Sequence, residues 1–385
     1  MTCDNHLATV LQKNSLRAFV RRNLIFLLPI VILCTPPAII LAWSGESFCD
    51  LEEVISQLNS RPTLIGFSYN EQNYGYLKHR RLTTLPRQSV VALGSSRVLA
   101  FRKEMFVSSF YNAGYTVSPI TEFREFLTVV PTSHHPDILL IGLDQWMFNT
   151  EWLSRPTSRT SSDWTENTSQ SLQKGFKSIR KLYKDVVRGK VRPAQLNAEA
   201  SITCVGLNAV CNRIGFRNDG SFSYGNHVTK LLQAGSTGED FQFPQIRRFV
   251  GADRVDSQAV EEVRELLNYC AENGIYVIAF VPPLMDALYD QMEQSGEHGY
   301  LAQIGDEVRP LFLEHGFEYY EFQSMASCGS DDTEAIDSFH GSDVTYLKML
   351  LRMLDQRSRL NEFTDRQPLV DDLDDRRSRY CVYAD

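Results

Sequence analysis

Apolar residues follow three patterns along this chain. One is a single long stretch: Asn23 to Gly45 carries no charged residue, and its middle reads LIFLLPIVILCTPPAIILAW. Another is a set of short continuous runs bounded by turn signals, Ser89–Leu93, Ile138–Leu143 and Ile275–Val281. Runs of that length without polar alternation are expected of strands buried on both faces. Phe110–Gly114 and Phe317–Phe322 read as shorter strands. The third pattern has helical spacing, most clearly at Ser257–Asn273, where Val260, Val263, Leu266, Leu267 and Cys270 share one face before Gly274. Ile120–Val130, Leu301–His315 and Val344–Leu354 repeat it, and Val98–Phe106 reads as the helix after the first strand. Strands alternating with helices predict an α/β fold with a mostly parallel central sheet covered on both faces.

These patterns divide the chain. Residues 1–23 form a polar start and 24–43 a membrane anchor. Residues 44–88 read as a linker or extension containing a short helix at Leu51–Leu58 and a loop-rich, tyrosine-bearing stretch at Arg61–Pro86. Residues 89–360 hold the α/β domain, interrupted at about 150–244 by an insertion of different character. That insertion is Ser/Thr/Asn-rich at Thr157–Gln170, basic and amphipathic at Ser171–Arg188, and turn-rich at Arg217–Gly225. It reads as either a substrate-contacting lid or a surface excursion. The Asp- and Arg-rich tail, 361–385, is expected to be disordered.

Charge gives the anchor an orientation. About 20 apolar residues suffice to span a bilayer as a helix. Lys13, Arg17, Arg21 and Arg22 precede the run, and Glu46, Asp50, Glu52 and Glu53 follow it. The positive-inside tendency then leaves the N-terminus cytoplasmic and the rest of the chain outside. The run is longer than a signal-peptide core, which favours an uncleaved anchor over cleavage near Ala42–Ser44. Pro29, Pro36 and Pro37 are expected to kink or shorten the helix. The net charge of −8 argues against a nucleic-acid partner, which needs a basic face. Of the eight cysteines, Cys204 and Cys211 close a short loop and are the expected disulfide. No cysteine or histidine spacing suggests a metal, and no phosphate-binding glycine loop calls for a nucleotide cofactor.

Two short segments carry chemistry. Gly94-Ser95-Ser96-Arg97 ends a buried strand, where a hydroxyl projects into a cleft and the following N–H groups face developing negative charge. Asp337-Ser338-Phe339-His340 spaces a carboxylate and an imidazole so that both can point the same way. A nucleophile, a base and an orienting acid are the parts of a serine hydrolase site. Each segment alone is also what a helix cap or a surface turn looks like.

In order and setting these segments resemble the SGNH (GDSL-like) hydrolase superfamily, over roughly Ser89 to Leu354. The family's Gly-Asp-Ser block is matched by Gly94, Ser95 and Ser96, with Ser95 in place of the Asp. Its Asp-x-x-His block is matched by Asp337 and His340. Its glycine oxyanion donor is matched by Gly114 of Asn112-Ala113-Gly114. Its Gly-x-Asn-Asp block is matched by Gly142-Leu143-Asp144-Gln145, a departure, because an ionised Asp144 accepts hydrogen bonds and cannot donate to an oxyanion. Gln145 or Asn149 would have to replace it, or Asp144 stay protonated. The resemblance is strongest to the membrane-anchored branch that includes alginate O-acetylation proteins and the accessory protein of teichoic-acid D-alanylation. It implies an acyl esterase or O-acyltransferase outside the bacterial inner membrane, a cell-envelope or exported polysaccharide as substrate, and a membrane-bound O-acyltransferase as partner. An inactive binding or assembly module on the same fold is the alternative. Arg97 would attract an anionic polymer or pair with a nearby acid; Trp146 and Phe148 would stack on a sugar or pack in the core.

Overall fold

The structure, a computed structural model, describes residues 3–153, 159–167, 172–191, 202–234 and 247–384. Its strands in chain order are β1 (Thr63–Ile65), β2 (Val90–Leu93), β3 (Phe110–Asn112), β4 (Ile138–Gly142), β5 (Thr203–Val205), β6 (Gly215–Phe216), β7 (Phe222–Ser223), β8 (Tyr276–Val281) and β9 (Glu318–Glu321). Five of them form a wholly parallel sheet in the order β3-β2-β4-β8-β9. The register sets Val90 opposite both Phe110 and Ile138, and Ile138 opposite Tyr276.

Alternate residues of these strands feed two cores. Val91, Leu93, Leu139, Ile141, Val277 and Ala279 face the helices Thr121–Val129, Ser257–Glu272 and Ile304–Glu314. Val90, Ala92, Ile138, Leu140, Ile278 and Phe280 face the helix Asp343–Asp355 on the other side. Burial on both faces is why the runs are continuously apolar.

Several expectations need correction. Residues 44–88, read as a linker or extension, and the insertion at about 150–244 fold together. β1 from the first pairs with β5 and β6 from the second, in a four-stranded sheet of order β5-β1-β6-β7. Leu51, Ile55, Phe67, Tyr74, Val205 and Phe216 form its shared core. The supposed loop Arg61–Pro86 contains β1 and the helix Asn73–Thr84. That helix buries Lys78, whose Nζ donates to the carbonyls of Asn112 (2.8 Å) and Gly220 and lies over the Phe216 ring.

Val98–Phe106 is not a helix but two 3-10 turns, Ser96–Val98 and Lys103–Met105. The Asn112 Nδ2 donates to the carbonyls of Val98 and Phe101 (2.8 and 2.9 Å), occupying acceptors that an α-helix would use. The tail is ordered. It forms the helix Arg366–Asp374, buries Leu369, Tyr380 and Val382, and offers the Ala384 carbonyl to Arg102.

Cys204 and Cys211 are both free thiols. Cys204 lies in β5, its sulfur 3.0 Å from the Arg213 guanidinium, while Cys211 is buried with Leu41, Tyr69, Leu182 and Leu207.

The N-terminal helix Cys3–Trp43 is continuous through its three prolines, and its Leu16–Trp43 portion is long and apolar enough to cross a membrane. Glu46 pins its exit. The buried carboxylate accepts hydrogen bonds from the N–H groups of Ser68 (2.9 Å), Tyr69 (2.7 Å) and Leu207 (3.0 Å). Burial still pushes its pKa up, against the pull of those donors.

Candidate functional site

Every piece of the site lies at the carboxyl end of the parallel sheet, where open α/β folds place their ligands. β2 runs into Gly94-Ser95-Ser96. Gly94 sits against Val98 and the Gly142 backbone, so a Cβ there would meet Val98 Cγ1 at 2.8 Å. The Ser95 hydroxyl caps the turn by accepting from the Arg97 N–H (3.1 Å), leaving Ser96 to point outward.

The Ser96 Oγ is 2.7 Å from the His340 Nε2. The other ring nitrogen, Nδ1, is 2.8 and 3.0 Å from the two Asp337 oxygens. That geometry calls for Nδ1–H donating to the carboxylate and Nε2 free to accept the Ser96 proton. Asp337 is fixed further by the N–H groups of His340 (2.9 Å) and Phe339 (3.1 Å). Burial works to raise its pKa, but the His340 charge and these hydrogen bonds prevail and hold it below the usual carboxylate value. The loop after β9 that carries Asp337 and His340 is clamped by backbone hydrogen bonds from Ile336 to the His340 carbonyl (2.8 Å) and from Met285 to that of Ser338 (3.2 Å). Thus Ser96 meets His340, 244 residues later in the chain, and through it Asp337. The Asp337 side chain is 45% exposed against 14% for His340, so the triad opens at its acid end.

No protein-family model matches this chain, and no curated protein matches it.

The remaining expected residues gather below Ser96. Arg97 is fully buried. Its guanidinium donates to Gln145 Oε1 (2.6 Å) and to the Pro282 and Pro283 carbonyls (2.7 Å each), with Asp144 at 3.6 Å. Of the two readings, the pair with a nearby acid is the one found. Burial pulls the Arg97 pKa down and Asp144 partly restores it. Gln145 spends its amide nitrogen on the Pro282 carbonyl (2.8 Å) and Asn149 on that of Val250 (2.7 Å). Gln145 Nε2 also donates to Gln323 Oε1 (3.4 Å), so both of its amide hydrogens are engaged, while the buried Asn149 amide has one of its two committed. The Gly114 N–H donates to Asn112 Oδ1 (2.9 Å), so this expected donor is also committed. Asp144 is wholly buried, and neither oxygen closes a hydrogen bond of normal geometry. Burial pushes its pKa up, with the Arg97 charge and the neighbouring Ser95 hydroxyl only partly offsetting it. Among the described residues, the Ser96 N–H at the start of its turn meets no acceptor, leaving it available to an oxyanion.

Trp146 and Phe148 are buried core residues, not sugar-stacking surfaces. Three neighbours escaped sequence reading. Phe339 packs on His340 with ring centroids 4.3 Å apart, and Arg248 lies over Phe339 and Trp146. Tyr224, just beyond β7, approaches His340 from the second sheet at 6.4 Å. Only the turn-rich character of Arg217–Gly225 hinted at Tyr224; nothing in the sequence marked Arg248.

Proposed function

We propose that the chain is a membrane-anchored acyl esterase or O-acyltransferase of the SGNH-like, three-layer type. Its substrate is a cell-envelope or exported polysaccharide outside the bacterial inner membrane. The observation that carries the reading is the continuous line Ser96 Oγ to His340 Nε2 (2.7 Å) and His340 Nδ1 to Asp337 (2.8 Å). The charge order around the Leu16–Trp43 segment supports the orientation, N-terminus inside and catalytic domain outside.

His340 Nε2 takes the Ser96 proton as Oγ attacks an ester carbonyl. The oxyanion is met by the Ser96 N–H. The tetrahedral adduct collapses to an acyl-Ser96 and an alkoxide that recovers the proton from His340. Water or a sugar hydroxyl then gives its proton to His340 and attacks the acyl group, and His340 returns that proton to the departing Ser96 Oγ. Water makes the reaction an esterase, a sugar hydroxyl makes it a transferase to the polymer, and a membrane-bound O-acyltransferase is the acyl donor that fits the second.

A second reading has its own observation. The Gly114 and Gln145 donors are engaged and Asp144 stands where the family has a donor. Losing one oxyanion donor costs about 10²–10³ in rate, so an assembly module that keeps the fold without the turnover would look the same.

Full-length protein in detergent separates the two. An esterase labels at Ser96 with a fluorophosphonate and hydrolyses p-nitrophenyl acetate above the Ser96→Ala background. Equal rates and no label would leave the assembly module standing. A topology reporter placed after residue 60 should score as extracytoplasmic; a cytoplasmic score would end the envelope assignment.

A further inference from the structure

The basic amphipathic stretch noted in the sequence is the helix Leu172–Val187, and the triad makes no use of it. Its inward face, Gly175, Ser178 and Leu182, is buried. Gly175 admits the Phe48 ring so closely that a Cβ would lie 2.3 Å from it, and Leu182 packs beside Leu41 near the end of the N-terminal helix. Farther down, the Tyr183 hydroxyl donates to the Leu33 carbonyl. The two helices therefore run side by side.

The outward face divides into two stripes with the same i, i+7, i+11 spacing, which keeps each on one side of the helix. One is apolar apart from the exposed Arg180 on the same side: Phe176, Tyr183 and Val187 are 64%, 40% and 86% exposed. The other is basic: Lys177, Lys184 and Arg188, all exposed. The apolar stripe adjoins the N-terminal helix through Tyr183. From Leu16 to Leu33 that helix is exposed on all sides, and from Cys34 to Leu41 one face is covered. A 28-residue span is about 42 Å long as a helix, about 12 Å more than a bilayer's hydrocarbon core. Arg17, Arg21 and Arg22 lie in its first turns, so the excess falls at the N-terminal side and the turns beside the Leu172–Val187 helix lie in the outer half of the bilayer. Tyr183 meets the span where the fully exposed stretch ends.

We propose that the Leu172–Val187 helix is a second membrane-contacting element. Phe176, Tyr183 and Val187 dip into the outer leaflet beside the anchor, and Lys177, Lys184 and Arg188 hold anionic phospholipid headgroups. Apolar burial next to basic side chains is the pattern of an interfacial helix. The proposal rests on the membrane-span reading above and is independent of the triad chemistry.

Full-length protein carrying the photo-crosslinker benzoylphenylalanine at one position, reconstituted in lipid nanodiscs, tests it. Positions 176 and 187 should yield lipid adducts, as should 26 within the span, while the exposed Leu313 position should not. Adducts at 26 without any at 176 and 187 would overturn the proposal and leave the anchor intact. Adducts at none of the three would overturn both. With anionic lipid present, the Lys177→Gln, Lys184→Gln, Arg188→Gln variant should lose several-fold of its adduct yield at 176. An unchanged yield would overturn the headgroup contact.

Discussion

The two halves of the site are built differently. Above, Ser96, His340 and Asp337 form a chain of hydrogen bonds that reaches solvent at Asp337. Below, Arg97, Asp144 and Gln145 are shut away from water; Arg97 and Gln145 spend their polar atoms mainly on each other and on Pro282 and Pro283, with the Asp144 carboxylate 3.6 Å from the guanidinium. Residues adjacent in sequence, Ser96 and Arg97, fall on opposite sides of that division. The upper half has what proton transfer needs, a base whose two nitrogens are each aligned with a partner. The lower half has the requirements of a scaffold, since a buried guanidinium holding two carbonyls of the strand end after β8 fixes the turn after β2. Neighbours of a nucleophile are thus not automatically part of its chemistry, and the division can be tested by asking whether rate and stability respond separately.

The largest expected effect is in the upper half. Ser96→Ala should lower ester hydrolysis by about 10³-fold or more and abolish covalent labelling, with the melting temperature nearly unchanged. His340→Ala should do the same, and the double variant should be no worse than either, because the two act as a unit. Additive losses in the double variant would break the claim that they form one device.

In the lower half, Arg97→Met should act first on stability. Removing one partner of a buried ion pair typically costs about 3–5 kcal/mol, because the remaining charge is left uncompensated. Chemical denaturation of the detergent-solubilised protein measures it. A variant as stable as wild type, with activity lost, would move Arg97 into the upper half.

Asp144→Asn sharpens the contrast through pH. A carboxyl whose pKa is raised on folding opposes folding when ionised, so its penalty is absent below the unfolded value near 3.8 and grows as pH rises through the folded one. The variant should therefore gain stability relative to wild type with rising pH and match it under acid conditions. Asp337 has the opposite sign: its lowered pKa contributes stability above its unfolded value that is lost as pH falls through the folded one. If the side-chain amide introduced at position 144 reaches the oxyanion, ester hydrolysis should also rise; an unchanged rate would assign that position wholly to the scaffold.

How much of this was legible in sequence follows the same physical division. β2, β4 and β8 were readable because burial on both faces leaves no polar residue in the run. The Asp337–His340 spacing was readable because the acid and base are local to each other. The second sheet was not, because its strands are two or three residues long and β1 pairs with strands some 140 residues later. The helix Asn73–Thr84 was hidden by an inward face that includes Asn73, Lys78, His79 and Arg81, the last three of which find polar partners only in the folded chain. The tail looked disordered because its three buried apolar side chains, Leu369, Tyr380 and Val382, are diluted among charged ones. The Gly114 and Gln145 assignments failed for a related reason: a motif gives a donor's position but not what already accepts from it.

The smallest expected effect decides which serine belongs to which half. Ser95 and Ser96 are chemically identical and adjacent, yet the Ser95 hydroxyl accepts from the Arg97 N–H (3.1 Å) while the Ser96 hydroxyl meets His340 (2.7 Å). Ser95 is thus a cap on a short turn. Replacing such a cap with alanine costs about 1 kcal/mol. Ser95→Ala should shift the unfolding midpoint by that amount, retain fluorophosphonate labelling, and keep ester hydrolysis well above the Ser96→Ala background. The activity should fall only as far as a loosened turn displaces Ser96 from His340, and the loss should not deepen with a more reactive ester. Loss of labelling in Ser95→Ala with its retention in Ser96→Ala would exchange the two roles and place the chemistry one residue earlier.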